Sequence, residues 1–317
     1  MRPFCLLLLS FMVIACQDSD FVGSNKNVGK PIVEPPPTVQ PEPVPTPEPP
    51  PTVNPVEPPP PVCTEEEEIQ GAHFVFLIDN SGSMRETDCP DKTGTGSWTT
   101  CQETNREKSI LATFDELKAV FEESGSEDAL SYLSIAQFTP KASGLPDTLE
   151  KANYLTVPTK DGLRPALAEA LKFNRRPDGG TPYKNAMDLA HLIKKAPGVP
   201  SEMQKIYVLL TDGEPTDTNP SDVLNLANEL DGIRFTLRVN HEGISVEDRE
   251  NRLKTQAPQN FSRIYPSRDA YIDALMSLGA DITTDKSVIE VTSSDQLETA
   301  IFEDILDKTI KETCDDA

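Results

Sequence analysis

Residues 79–84 read DNSGSM and place one carboxylate and two hydroxyls at alternate positions, Asp79, Ser81 and Ser83. A second carboxylate, Asp212, stands in TDGEPTD (211–217), and a further hydroxyl, Thr181, stands in GGTP (179–182). Alternate spacing lets a bending loop turn the three side chains of the first stretch to one side, and Gly82 permits the tight bend between the serines. Carboxylates and hydroxyls without imidazole or thiolate suit a hard divalent cation such as Mg²⁺, Mn²⁺ or Ca²⁺, and argue against zinc or copper.

These side chains need elements to position them. Asp79 follows the apolar run FVFLI (74–78), and Asp212 follows IYVLL (206–210) by two residues. Both runs are apolar at every position, the pattern of strands buried on both faces of a mainly parallel sheet. Around them the chain alternates between strand and helix patterns. Ile110, Phe114, Leu117 and Phe121 fall at helical spacing, as do Leu163, Leu167 and Leu171, and LSYLSIAQF (130–138) and IRFTLRV (233–239) read as strands. Helices are predicted from Tyr183 to about Lys194 with Pro182 in the first turn, from Val223 to Leu230, over 268–279 and from Asp295 to about Lys311, with a short strand at VIEV (288–291). The expected architecture is α/β, a doubly wound, mainly parallel central sheet flanked by helices. In such sheets ligands bind at the carboxyl ends of strands where the winding reverses, which is where Asp79 and Asp212 would stand.

The rest of the chain is organised differently. Its 317 residues carry a formal net charge of −23, six cysteines and thirty prolines, the prolines concentrated at one end. Such acidity disfavours nucleic acid and anionic membrane surfaces and leaves divalent cations and basic proteins as natural partners. Arg2 precedes FCLLLLSFMVIA, which is too short to span a bilayer but suits the core of an export signal. The stretch Val13, Ile14, Ala15, Cys16 resembles a bacterial lipobox, which implies a signal peptide over 1–15 and lipidation of Cys16, with an ordinary cleaved signal as the competing reading. Gln17, in place of Asp, resembles an outer-membrane address. Residues 16–62 read as a stalk: Pro31 to Pro61 is about half proline, unable to build ladder hydrogen bonds or a core. At ~3.1 Å per residue in polyproline II, that stretch could hold the following domain up to roughly 90 Å from its anchor. A proline-rich ligand for another protein is the alternative.

DNSGSM, GGTP and TDGEPTD together resemble the metal-ion-dependent adhesion site of the von Willebrand factor A family, with the five positions Asp79, Ser81, Ser83, Thr181 and Asp212 in the family's order. The resemblance covers about residues 71–312, within a domain placed at 63–317. It implies that the serines and threonine bind the metal directly while one or both aspartates act through water. An ion held mostly by neutral hydroxyls keeps much of its positive charge and attracts an outside Asp or Glu to its open position. A site that merely locks the three loops together is the alternative.

Between Ser83 and the first helix the sequence departs from the family's short link by an insertion, residues 84–105, holding the sole tryptophan, Trp98, and Cys89 and Cys101. In an exported protein these cysteines are expected to close a disulfide hairpin. The insertion reads either as the selectivity element of the metal site, with Trp98 as its anchor, or as a stapled surface excursion. Cys63 and Cys314 flank the domain, and a bond between them would clasp its ends, although four cysteines permit three pairings. Arg175 and Arg176, just before the glycines of GGTP, could steer an acidic partner to the ion or pair with local acids. TEEEEIQ (64–70) reads as a solvated lead-in, and His73, His191 and His241 as surface or packing residues.

The function expected is that of a lipid-anchored binding module rather than an enzyme, taking a protein or envelope partner's carboxylate on its cation. A scaffold subunit of an envelope machine is the first alternative and a metal-dependent envelope hydrolase the second. Against hydrolysis, the sequence has no nucleophile elbow, no paired acid and base and no imidazole ligand set.

Overall fold

The computed structural model describes residues 70–84, 88, 92–93, 100–101, 104–138, 154–172, 180–215, 219–240, 243–256 and 264–306. The expected signal peptide, stalk, Cys16, Cys63, Cys89, Cys314, Trp98, Arg175, Arg176 and His241 lie outside them. Eight strands follow in chain order: β1 His73–Asp79, β2 Lys92–Thr93, β3 Thr100–Cys101, β4 Tyr132–Phe138, β5 Tyr154–Pro158, β6 Lys205–Thr211, β7 Ile233–Val239 and β8 Ile289–Val291. The helices are α1 Asn105–Ser124, α2 Arg164–Leu171, α3 Tyr183–Ile193, α4 Pro220–Asn228, α5 Val246–Gln256, α6 Arg268–Asp281 and α7 Leu297–Ala300. The main sheet has six strands in the order β5-β4-β1-β6-β7-β8, all neighbours parallel except the antiparallel pair β4 and β5. This is the doubly wound α/β sheet expected from the two apolar runs. β2 and β3 form a separate antiparallel ladder inside the insertion, pairing Lys92 with Cys101 and Thr93 with Thr100.

Every residue of β1 and of β6 is buried. Side chains alternate across a strand, so each run supplies two cores at once. Phe74, Phe76 and Ile78 face Ile110, Phe114 and Leu117 of α1, Leu167 and Leu171 of α2 and Leu297 and Ile301 near the C-terminal end. Val75 and Leu77 face the other way, onto Tyr183, Ala186, Met187 and Ala190 of α3 and Val223 and Ala227 of α4. Truncating a ring as enclosed as Phe76 or Phe114 would cost about 3–5 kcal/mol.

The helices begin where their caps allow. Thr104 and Glu107 form a reciprocal capping box at the start of α1, and Gly125 ends that helix in the left-handed region at φ 62°. Asn219 caps α4, with Pro220 in its first turn, and Ser267 caps α6.

Three elements differ from the sequence-based expectation. β5 and α5 carry too few regularly spaced apolar residues to stand out, β5 because it is a half-exposed edge strand and α5 because only Leu253 packs inward, onto Tyr271, Ile272 and Leu275. The long helix predicted from Asp295 is instead a succession of a 3₁₀ turn at Ser294–Gln296, the short α7 and a π turn at Ile301–Leu306. The i→i+5 turn brings Ile301 and Leu306 to one face, where both are buried with Ile305. Residues 307–311 of that prediction lie outside the described residues. Among the described residues no helix is long and apolar enough to cross a membrane.

Candidate metal centre

β1 and β6 are central neighbours, and the winding reverses between them: the chain passes from β1 outward to β4 and β5, then returns to β6 on the other side. Their ladder ends at Ile78 and Leu210, while β1 continues against β4 to the pair Asp79 and Phe138. One strand has thus let go of the other at Asp79. The Thr211 hydroxyl fills that opening and donates to Asp79 Oδ2 at 2.6 Å.

The other carboxylate oxygen, Asp79 Oδ1, accepts from the Ser81 amide at 2.7 Å, which curls the loop back over the strand end. The curl brings Ser81 Oγ to 3.0 Å from Ser83 Oγ. Ser83 Oγ donates in turn to Asp212 Oδ1 at 2.8 Å, closing a path from the first strand's loop to the loop after β6. Thr181 precedes α3. Its Oγ1 would lie 3.2 Å from a Cβ added at Gly213, so the hydroxyl abuts the Asp212–Gly213 turn. Tyr183, fully buried in the first turn of α3, donates from its phenol to Gly213 O at 2.8 Å and holds the same turn from beneath. Asp79, Ser81, Ser83, Thr181 and Asp212 therefore gather around one strand-end cleft.

The cleft has a closed floor and an open lip. Asp79, Ser81 and Thr181 are buried, whereas Ser83 is exposed and Asp212 half-buried. Burial, and then the charge of Asp212, push the Asp79 carboxyl up from 3.8 to about 7, against the hydrogen bonds from Thr211 and Ser81. Two carboxylates that repel each other in a desolvated cleft lined by hydroxyls form a set that a divalent cation would neutralise, and the donors fit a hard ion. Among the described residues no group of three or more His, Cys, Asp or Glu could hold a metal.

Several residues around the cleft were not singled out by sequence reasoning. Arg106, at the start of α1 and fully buried, donates from Nη1 to the Asp79 carbonyl, and its Nε lies 2.6 Å from Asp88 Oδ2. Glu214, two residues beyond Asp212, accepts through Oε2 from Arg238 Nη2 of β7 at 3.2 Å, and its Oε1 lies 3.1 Å from the same nitrogen in the ion pair. Arg249 of α5 stands 3.8 Å from Glu214 and 3.1 Å from Glu290, whose Oε1 also accepts from Asn240 Nδ2 at 2.6 Å. Thr211 lies within TDGEPTD and Tyr183 directly follows GGTP, so both could have been found there. Arg106 and Arg238 give no sequence signal, since a lone arginine in a helix or strand reads as a surface residue.

His73 lies at the opposite end of β1, with its Nε2 2.7 Å from Ser134 Oγ, which is 2.6 Å from Thr156 Oγ1. The imidazole is a buried structural group, in agreement with its reading as a packing residue. His191 Nε2 lies 2.8 Å from the Leu226 carbonyl and ties α3 to α4.

No family model matches the sequence, and no curated protein matches it. Solved structures with a similar chain path include the pilus adhesin SpaC from Lactobacillus rhamnosus GG, at TM-score 0.45 and 14% identity over 78% of this chain and 31% of that one. They also include proximal thread matrix protein 1 from the mussel byssus with a zinc-occupied MIDAS motif, at TM-score 0.40 and 16% identity over 78% of this chain and 46% of that one. BatB from Bacteroides thetaiotaomicron, a conserved hypothetical protein, matches at TM-score 0.40 and 15% identity over 75% of this chain and 99% of that one. The chain spans less than half the length of the first two.

Proposed function

We propose that this chain is a von Willebrand factor A-like binding module that grips a partner's carboxylate through a divalent cation, and that it is held at the bacterial envelope by lipid on Cys16. The observation that carries the reading is the convergence of Asp79, Ser81, Ser83, Thr181 and Asp212 at the carboxyl ends of β1 and β6, linked by the contacts from Asp79 to Ser81, Ser81 to Ser83 and Ser83 to Asp212. Mg²⁺ is the ion proposed, and Mn²⁺ and Ca²⁺ are the other hard ions the donors admit. The buried floor holds the ion, and the open lip at Ser83 and Asp212 leaves a position for an Asp or Glu from outside. A metal with few charged ligands would supply Lewis acidity toward that carboxylate; the hydroxyls of Ser81, Ser83 and Thr181 would hold it and the two aspartates would keep it in place.

In this reading the proline-rich stalk holds the domain away from an outer-membrane anchor, the Cys63–Cys314 bond clasps the domain's ends, and the Cys89–Cys101 insertion with Trp98, aided by Arg175 and Arg176, selects the partner. The deciding experiment is binding of the protein to intact cells and envelope fractions in Mg²⁺ or EDTA, beside Asp79→Ala. Binding that requires both the ion and Asp79 supports the module. Binding indifferent to both refutes it and leaves the site a lock between loops.

A further inference from the structure

Arg106 and Asp88 have no exposed side-chain surface, and they form an ion pair at 2.6 Å. Burying two charges costs several kcal/mol of hydration per ion, and apolar residues of like volume often serve stability as well or better. The pair therefore calls for an explanation other than stability, and its contacts supply one. Arg106 uses one face of its guanidinium for Asp88 and another for the carbonyl of Asp79.

That carbonyl belongs to the peptide joining Asp79 to Asn80, the first bend of the DNSGS loop. The N–H side of the same peptide is also held, because Asn80 N donates to Phe138 O of β4 at 3.1 Å. The connections then return to the loop: Met84 N donates to Ser81 O at 3.2 Å, and Asp88 N to Met84 O at 3.1 Å. Asp79, Ser81, Met84, Asp88 and Arg106 thus form a closed ring around the segment that carries three of the metal-site side chains. Asp88 is fixed from the helix side as well, its Oδ1 accepting from the Arg106 amide at 3.1 Å and its carbonyl from the Asn105 amide at 3.4 Å.

We infer that Arg106 and Asp88 are positioning residues for the metal site, setting the Asp79–Ser83 loop in the shape that receives a divalent cation. The inference rests on the metal-binding reading above. Groups that orient metal ligands without touching the metal typically carry about 10–100-fold of its affinity. A fork-shaped guanidinium is needed because the two acceptors lie in different directions, and a lysine ammonium would satisfy them less well.

The test is calorimetric titration of the protein with Mg²⁺ alone, for wild type, Asp88→Asn, Arg106→Lys, Arg106→Met and the Asp88→Asn/Arg106→Met double variant, each checked for folding by circular dichroism. The expected result is a Kd raised about 10–100-fold in Arg106→Met and Asp88→Asn, a smaller rise in Arg106→Lys, and a double variant no worse than Arg106→Met. Folded variants with a Kd within about twofold of wild type would overturn the inference and leave the pair a helix cap. A second measurement needs no variant: in a wild-type Mg²⁺ titration followed by NMR, the Arg106 Nε–Hε resonance should move with the same midpoint as the Ser83 amide. A stationary Arg106 resonance overturns the inference even if the variants do not fold. If wild type binds no Mg²⁺, the metal-binding reading falls and this inference with it; binding that is lost in Asp212→Ala but unchanged in Asp88→Asn overturns this inference alone.

Discussion

Ser83 and Asp212 are 129 positions apart in the chain and are joined by a 2.8 Å hydrogen bond from the serine hydroxyl to the carboxylate. The bond spans the cleft between the loops after β1 and β6, at the exposed lip of the site. Ser83→Ala removes it at little cost to folding, since exposed side-chain hydrogen bonds contribute about 1 kcal/mol or less. In the proposed metal site the same variant would also lose a direct ligand, and Asp212→Ala a charge. The expected outcome is unfolding by urea in EDTA within about 1 kcal/mol of wild type, with Mg²⁺ affinity in calorimetry down at least about 10-fold for Ser83→Ala and undetectable for Asp212→Ala. Retained affinity in Asp212→Ala would remove this residue from the site.

Glu214 and Arg238 are nearly fully buried and held together at 3.1 Å between the loop after β6 and strand β7. Breaking such a pair from one side leaves a charge without its main partner and costs about 3–5 kcal/mol, whereas replacing both with apolar residues is often close to neutral. Glu214→Leu alone should therefore destabilise strongly and Glu214→Leu/Arg238→Met much less. A double-mutant cycle in urea, with Mg²⁺ absent, measures the coupling. Additive single effects would show that the pair does not act as a unit.

The pH dependence of stability should carry the mark of His73. Burial, aided by the Lys205 charge on the neighbouring strand, lowers its pKa from 6.5 to about 4, while Ser134 and Thr156 face it as neutral hydroxyls. The unfolded chain then takes up this proton before the folded one. The resulting loss of stability begins as pH falls below 6.5, grows to roughly 3 kcal/mol near pH 4, and stops growing below that. His73→Gln lacks this component. The check is the difference between wild-type and His73→Gln unfolding free energies at about pH 7 and about pH 4.5, which should narrow at the lower pH; a constant difference would contradict the buried, neutral imidazole.

The proposed anchor has a direct test. Wild type expressed in bacteria should sediment with membranes and partition into detergent, and Cys16→Ser should lose both properties while keeping its Mg²⁺ affinity. Equal membrane association of the two proteins would rule out lipidation as the attachment.

The runs FVFLI and IYVLL determine two central strands by themselves, because a strand apolar on both faces is stable only between two layers of helices. The residues ending those runs were legible for a related reason: a carboxylate at the end of a buried central strand stands at the carboxyl end of the sheet, and Asp79, on the buried floor of the cleft, and Asp212, at its lip, do so. The half-exposed strand β5, the polar helix α5 and the broken C-terminal helix were not legible, since hydrophobic periodicity is weak where a segment buries one residue or changes its turn. Nor could the sequence distinguish Arg106 from any surface arginine of an amphipathic helix. Whether a charge is solvated or buried against Asp88 and the Asp79 carbonyl depends on how α1 packs across the end of β1, and that contact joins residues whose local sequences carry no trace of each other.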